Sequence, residues 1–308
     1  MQALLDADVL RYEVGFAAKA GWKGDGEPSW EYVQECLTLL INNIQGVVGA
    51  TCPPILFFTG KTNFRNNIAV TTPYKERASN KPFHYYNLTA YMKAVYKWRQ
   101  EEGFEADDLM AIEQEKRNKE YLNDPIGTIP TIICTRDKDL RAVPGWHYGW
   151  ELGNQPAYGP KLVDEFGAIK LSTDRKSIKG EGLLFFYAQC LTGDPTDTIP
   201  GLKGCGAVQA FKTLDGCVDT NDAFKRVLGA YKAVYEHDAK ARLLEQGKLL
   251  WMTRETHPDG SPVLWKFPDG PWDTEETAPD NVDNVNGHPD FSNIGSTVVS
   301  IVNQNSVV

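Results

Sequence analysis

The hydrophobic pattern separates short buried strands from amphipathic helices. Gln2–Leu5 is an apolar run stopped by Asp6, which predicts a first strand. Pro28-Ser29 opens a stretch in which Trp30, Val33, Leu37, Leu40, Ile41, Ile44 and Val48 recur at three- and four-residue steps, predicting a helix over 30–48. Pro54–Phe58 is wholly apolar and ends at Thr59-Gly60, the signature of a buried strand. The acids at 105–108 open a further helix through LMAIEQ, and TIPTIIC over 128–134 predicts a strand ending in Thr135-Arg136-Asp137-Lys138-Asp139. Strands separated by helices predict an α/β fold on a mainly parallel sheet. From Gly182 the pattern turns helical: GLLFFYAQCL, AVQAFKTL, then a face of Phe224, Val227, Leu228, Tyr231, Val234 and Tyr235 capped by Asp219 or Thr220. The expected division is an α/β core over 1–180, helices over 181–266 and a tail over 267–308, with no internal repeat.

Composition narrows the class. The chain has 308 residues, 42% hydrophobic and 24% charged, which excludes a disordered, collagen-like or disulfide-scaffold protein. No run approaches the ~20 apolar residues of a membrane span. The start, MQALLD, has no basic region of a secretion signal. Six scattered cysteines without a Cys-x-x-Cys pair read as reduced thiols, so a cytoplasmic location is expected. The isolated histidines carry no ligand spacing and read as packing or surface residues.

The net charge of −9 argues against a polyanionic partner until it is mapped. No Lys or Arg follows Lys266, whereas seven acids do, so the first 266 residues carry 32 basic against 34 acidic side chains. Within them, residues 53–100 hold eight cations, among them Lys61, Lys75, Arg77 and Lys81, against Glu76 alone. Tyr74, Phe83, Tyr85, Tyr86, Tyr91, Tyr96 and Trp98 interleave with them, and cations mixed with aromatic rings grip single strands. The acidic tail is expected to act as a spacer, a docking strip or a DNA mimic competing for that basic segment.

The carboxylates carry the chemistry. Asp6 and Asp8 follow one apolar run, Asp137 and Asp139 follow another, and Glu105, Asp107 and Asp108 stand at a helix start. Strand ends of a parallel sheet face a shared crevice, so these acids are expected to converge. Carboxylates a few ångströms apart repel strongly, and hard divalent cations such as Mg²⁺ or Mn²⁺ relieve that repulsion. Two such ions form a clamp for attack on a phosphodiester. Further on, Gly-Asp-Pro-Thr-Asp-Thr-Ile-Pro-Gly-Leu-Lys-Gly-Cys-Gly, over 193–206, adds Asp194 and Asp197 and a glycine turn suited to a phosphate.

Taken in order, Asp6, Tyr74-Lys75-x-Arg77, Glu105-x-Asp107-Asp108, Asp137-Lys138-Asp139 and the 193–206 string resemble the flap endonuclease superfamily. The bacteriophage 5′-to-3′ exonucleases are the most similar group, and the likeness runs over about residues 3–215. The resemblance implies a PIN-like α/β core with a helical arch over 61–101 and a helix–three-turn–helix module binding duplex DNA through a monovalent cation, K⁺. It also implies a monomeric enzyme of DNA replication, in a host cytoplasm if of phage origin, that uses two Mg²⁺ or Mn²⁺ ions to cut DNA from a 5′ end, nick or flap. Asp6, Glu105, Asp107, Asp108, Asp137 and Asp139 would hold the metals directly or through water, and Asp194 and Asp197 would complete the shell of the second ion. Lys75 and Arg77 would steady the scissile phosphate, with Lys81 as the rival of Arg77. Gly201, Lys203, Gly204 and Gly206 would meet the duplex, and Tyr74 and Phe83 would stack on unpaired bases.

Two departures matter. The basic motif Tyr74-Lys75-x-Arg77 is one residue tighter than the family's Tyr-Lys-x-x-Arg, which makes Lys81 the rival of Arg77. The family carries an aspartate after its second strand, where this chain has Gly60, so Thr59 or water is expected to substitute, and Gly60→Asp to lower the Mg²⁺ requirement. Two other readings stay open. LLDADVL, ILFFT and Gly-Asp-x-x-Asp also resemble haloacid-dehalogenase-type phosphatases, with Asp6 as nucleophile and Asp8 as general acid. A DNA-junction-binding protein without catalysis is the third.

Overall fold

A computed structural model describes residues 1–75, 80–270 and 272. Six strands, β1 (Gln2–Asp6), β2 (Ile55–Phe57), β3 (Lys97–Arg99), β4 (Thr131–Cys134), β5 (Gly145–Gly149) and β6 (Tyr158–Val163), form one sheet in the order β3-β2-β1-β4-β5-β6. All neighbours are parallel except β5 and β6. The fold is α/β, as the pattern predicts. From β1 the chain runs through α1 (Ala7–Gly21) and α2 (Trp30–Val47) to β2. It continues through α3 (Tyr85–Val95) to β3, then returns through α4 (Ala106–Asn123) to β4 on the other side of β1. The strand order therefore reverses between β1 and β4, and such a reversal opens a crevice at the strand ends.

Side-chain alternation explains why β1 is central. Ala3 and Leu5 pack among Leu10, Val14, Leu37, Ile41 and Ile44 of α1 and α2. Leu4 points the other way, among Phe57, Leu109, Met110 and Ile133 beneath α4. A strand buried on both faces reads as a continuous apolar run. α1 is absent from the sequence reading because it begins directly at Asp6, whose Oδ1 accepts the Val9 N–H at 3.0 Å as its cap. α2 begins where Ser29 Oγ accepts the Tyr32 N–H, as expected.

A two-stranded hairpin, β7 (Ala168–Leu171) and β8 (Ile178–Glu181), precedes the helical part. There α5 (Gly182–Thr192), α6 (Ala207–Leu214), α7 (Thr220–Tyr235) and α8 (Ala239–Leu250) enclose a third core. α5 is apolar all round and buried nearly throughout. Asp219 is the cap of α7, accepting the Asp222 N–H at 2.8 Å. Among the described residues no helix is long and apolar enough to cross a membrane. Arg77, and the acidic tail apart from residues 267–270 and 272, lie outside the described residues.

Candidate active site

The acids gather at the reversal between β1 and β4. Asp6 ends β1, Asp137 and Asp139 follow β4, and Glu105, Asp107 and Asp108 open α4. Burial, then the neighbouring Asp8 and, more weakly, Asp137, push the Asp6 carboxyl up to about 7. Burial with Asp137, Asp6 and Glu105 around it holds Asp107 well above the carboxylate range. Burial and the adjacent Asp137 push Asp139 up to about 8. Asp137 acts on all three, so residues more than a hundred positions apart share one field.

The surrounding acids are paired. Glu105, 6% exposed, binds Arg65 Nη1 at 3.1 Å, Lys75 Nζ at 2.5 Å and the Tyr74 hydroxyl at 2.8 Å. Burial alone would raise its carboxyl, but Arg65 and Lys75 overcome that and hold it low. Tyr74 also donates to Asp197 at 3.0 Å, and Lys75 Nζ lies 3.5 Å from Asp197. The Lys75 N–H meets the Asp197 carbonyl at 3.1 Å, which ties the basic segment to the Gly-Asp loop. On the other flank Lys138 Nζ lies 2.9 Å from Asp194 and 3.7 Å from Asp139, whose Oδ1 accepts from Gln189 of α5 at 2.6 Å. Unpaired negative charge thus sits between two lysines.

Several expectations are corrected here. Asp108 does not face the crevice. It is fully buried and spent on a fork of hydrogen bonds from Arg65, 2.7 and 2.8 Å, and on the N–H groups of Glu105 and Thr253. Tyr74 does not present a ring for stacking: it is buried in the core beside Leu183, and its hydroxyl bridges Glu105 and Asp197. Gly60 has no space for an acid, because a Cβ there would meet the Glu101 carbonyl oxygen at 2.3 Å. Thr59 does not stand in freely, since its hydroxyl accepts the Ala106 N–H at 3.0 Å and caps α4. Asp8 reaches the same strand end, accepting the Thr59 N–H at 3.2 Å while paired with Arg11 at 2.6 Å. The phosphatase reading is weakened at the general acid it needs, because Asp8 is paired with Arg11 at 2.6 Å and accepts the Thr59 N–H.

Other residues lie outside this cluster. Phe83 is exposed, and Lys81 is exposed with its ammonium donating to Tyr86 at 3.0 Å. Within 61–101, α3 turns Tyr85, Leu88 and Met92 into the core. In the glycine loop Gly201 and Gly204 take φ +65° and +78°, which a side chain would resist. Gly201 packs on the backbone of Gly193, where a Cβ would come within 2.3 Å of nitrogen. Lys203 and Gly204 are exposed, and Gly206 caps α6.

The sequence reading counts Arg65 among the eight cations of the basic segment, and the structure withdraws it from that surface. It is 0% exposed and uses all its donors, adding the carbonyls of Leu249 at 2.9 Å and Trp251 at 2.7 Å to its two acids. Its only signal was the Phe64 before it, an apolar residue amid cations.

The donor set fits hard divalent ions in kind: oxygen ligands, crowded and uncompensated. Among the described residues no three His, Cys, Asp or Glu side chains are close enough to hold one ion together.

No family model and no curated protein matches the chain. Solved structures do. A bacteriophage T5 flap endonuclease, in a pseudo-enzyme–product complex with DNA and metal ions, is 14% identical over 81% of this chain and 98% of its own, with a TM-score of 0.47. The T5 5′-exonuclease with bound zinc is 16% identical over 81% and 95%, with a TM-score of 0.48. The catalytic core of Rad2 in complex with DNA substrate is 11% identical over 78% and 67%, with a TM-score of 0.39.

Proposed function

We propose that the protein is a metal-dependent nuclease that hydrolyses DNA phosphodiesters from a 5′ end, nick or flap. The observation that carries this reading is the convergence of Asp6, Asp107, Asp137 and Asp139 on the crevice between β1 and β4, where burial and neighbouring carboxylates drive the carboxyls of Asp6, Asp107 and Asp139 upward. In this reading Asp6, Asp107, Asp137 and Asp139 hold Mg²⁺ or Mn²⁺, with Glu105, Asp194 and Asp197 on their flanks. When bound, such ions supply a hydroxide at neutral pH and charge neutralisation on the leaving oxygen.

The chain's own residues do the rest. Lys75 stands at the crevice edge on Glu105 and Asp197, from which its ammonium can swing to a phosphoryl oxygen. Burial would lower its pKa, but Glu105 and Asp197 raise it above the ordinary lysine value, so it remains a cation at any working pH. Thr135 and Gln189 fix the rotamers of Asp6 and Asp139. Lys81 and Phe83 offer charge and a ring to unpaired nucleotides, while the turn over 201–206 meets the duplex, with K⁺ as its candidate cation.

Incubating the protein with 5′-labelled nicked, flapped and blunt duplexes, with Mg²⁺ and with EDTA, tests the reading. Metal-dependent products released from the 5′ side are expected. Tight binding without product at every metal concentration would replace it with the junction-binding alternative.

A further inference from the structure

Beside the glycine turn lies a cavity of about 250 Å³ walled by Gly201 and Lys203 of the turn, Tyr235 at the end of α7, Arg242 and Gln246 of α8, and Thr71. Its walls are fastened together. The Gly201 N–H donates to Gln246 at 2.9 Å, the Lys203 N–H donates to the Tyr235 hydroxyl at 3.2 Å, and the Thr71 hydroxyl donates to Glu245 at 2.5 Å. The Arg242 guanidinium lies over the Tyr235 ring, 4.7 Å from its centroid, a contact that holds the cation in place. What the walls leave unspent is positive. Among the described residues neither Arg242 nor Lys203 has an ion-pair partner, and Arg242 Nε is buried without an acceptor. The carboxylate one turn along, Glu245, is occupied by the N–H groups of Val70 and Thr71 as well as by the Thr71 hydroxyl.

We infer that this cavity is a phosphate-binding subsite in which Arg242 and Lys203 hold a backbone phosphate of duplex DNA passing over the 201–206 turn. The inference rests on the nuclease reading for the source of the phosphate, and on the two free cations for its chemistry. A guanidinium pinned on a ring loses little freedom when it binds an oxyanion, and its planar fork matches two phosphate oxygens. α8 thereby joins the duplex-facing surface, which the sequence reading confined to the glycine turn.

Arg242→Gln and Lys203→Gln, made in the full chain, test this by anisotropy with a blunt duplex in EDTA, where no cutting intervenes. Each should weaken duplex binding roughly tenfold. The slope of log K against log salt should become shallower by about 0.9 per lost phosphate contact. Arg242→Lys should restore the slope. Binding of a short single strand, offered as a control, should change less than binding of the duplex. Wild-type duplex affinity and slope in both Gln variants, with DNA cleavage intact, would overturn the subsite and leave the nuclease reading standing. A second arm separates the two ideas: the thermal midpoint with added inorganic phosphate. If the wild type binds no DNA, yet phosphate raises its midpoint and not that of Arg242→Gln, the cavity is a site for free phosphate and the nuclease reading fails. No response to DNA or to phosphate would overturn both.

Discussion

Arg65 and Asp108 face each other through two parallel hydrogen bonds of 2.7 and 2.8 Å, and neither side chain touches solvent. This pair anchors the start of α4, and with it Glu105 and Asp107, against the carbonyls of Leu249 and Trp251. Removing one partner strands a buried charge. Arg65→Met is therefore expected to lower unfolding stability by about 3–5 kcal/mol, and Arg65→Lys, which keeps the charge and loses the fork, by less. Urea denaturation measures both; a wild-type midpoint for Arg65→Met would refute the anchoring role.

The central acids give the metal-free protein an unusual pH profile. Asp6 and Asp139 sit near 7 and 8 in the fold, against an ordinary 3.8. Between these limits the folded chain keeps protons that the unfolded chain has released. Their contribution is complete below about pH 4 and disappears as pH rises through 7 to 8. Glu105 and Asp194, held low by cations, work in the opposite sense and weaken the fold only as pH falls below the ordinary carboxylate range. In EDTA the thermal midpoint should peak near pH 5 and drop by on the order of 5 °C by pH 8.5. Mg²⁺ should raise it more at pH 8.5 than at pH 5. A midpoint that climbs steadily from pH 5 to 8.5 in EDTA would contradict the crowding of these acids.

Asp107 accepts no hydrogen bond from the described residues and stands among like charges, so it contributes repulsion rather than support to the metal-free fold. Asp107→Asn should leave the EDTA-treated protein as stable as the wild type or more so, erase most of the Mg²⁺-induced rise in midpoint, and cut nuclease turnover by about 100-fold or more. Full Mg²⁺ response in this variant would exclude Asp107 from the ion-binding set.

Gly60 marks a steric limit. With the Glu101 carbonyl 2.3 Å from where a Cβ would stand, even Gly60→Ala must displace backbone, at about 1–3 kcal/mol. Gly60→Asp should lose at least as much stability without lowering the Mg²⁺ concentration needed for half-maximal activity. A lower requirement would show that the crevice accepts another acid.

How much of this was legible follows from the range of each interaction. Asp6, Asp137 and Asp139 could be placed because apolar runs delimit strands, and strand ends meet at a sheet's reversal. The helices from 182 to 235 declared themselves by periodicity and caps. Arg65 could not be placed, because its burial depends on Asp108, 43 residues away, and on carbonyls that no side-chain pattern encodes. The same holds for Asp108, which looked like a third ligand until its partner was seen. α1 escaped because Asp6 serves as the last residue of a strand and the cap of the following helix. β7 and β8 escaped because each is four residues long and none of their residues is buried, so neither forms the apolar run of a buried strand.

The contacts of Arg65 with Leu249 and Trp251 span 184 and 186 residues, and the Thr253 N–H closes on Asp108 across 145. Chains are synthesised from the N-terminus, and early parts fold as they emerge. A ribosome that has delivered every carboxylate has still not delivered the backbone that locks them in register. The acidic crevice is thus finished only once residues 249–253 have been made, and a chain truncated before residue 251 would carry the ligands without the scaffold that aims them.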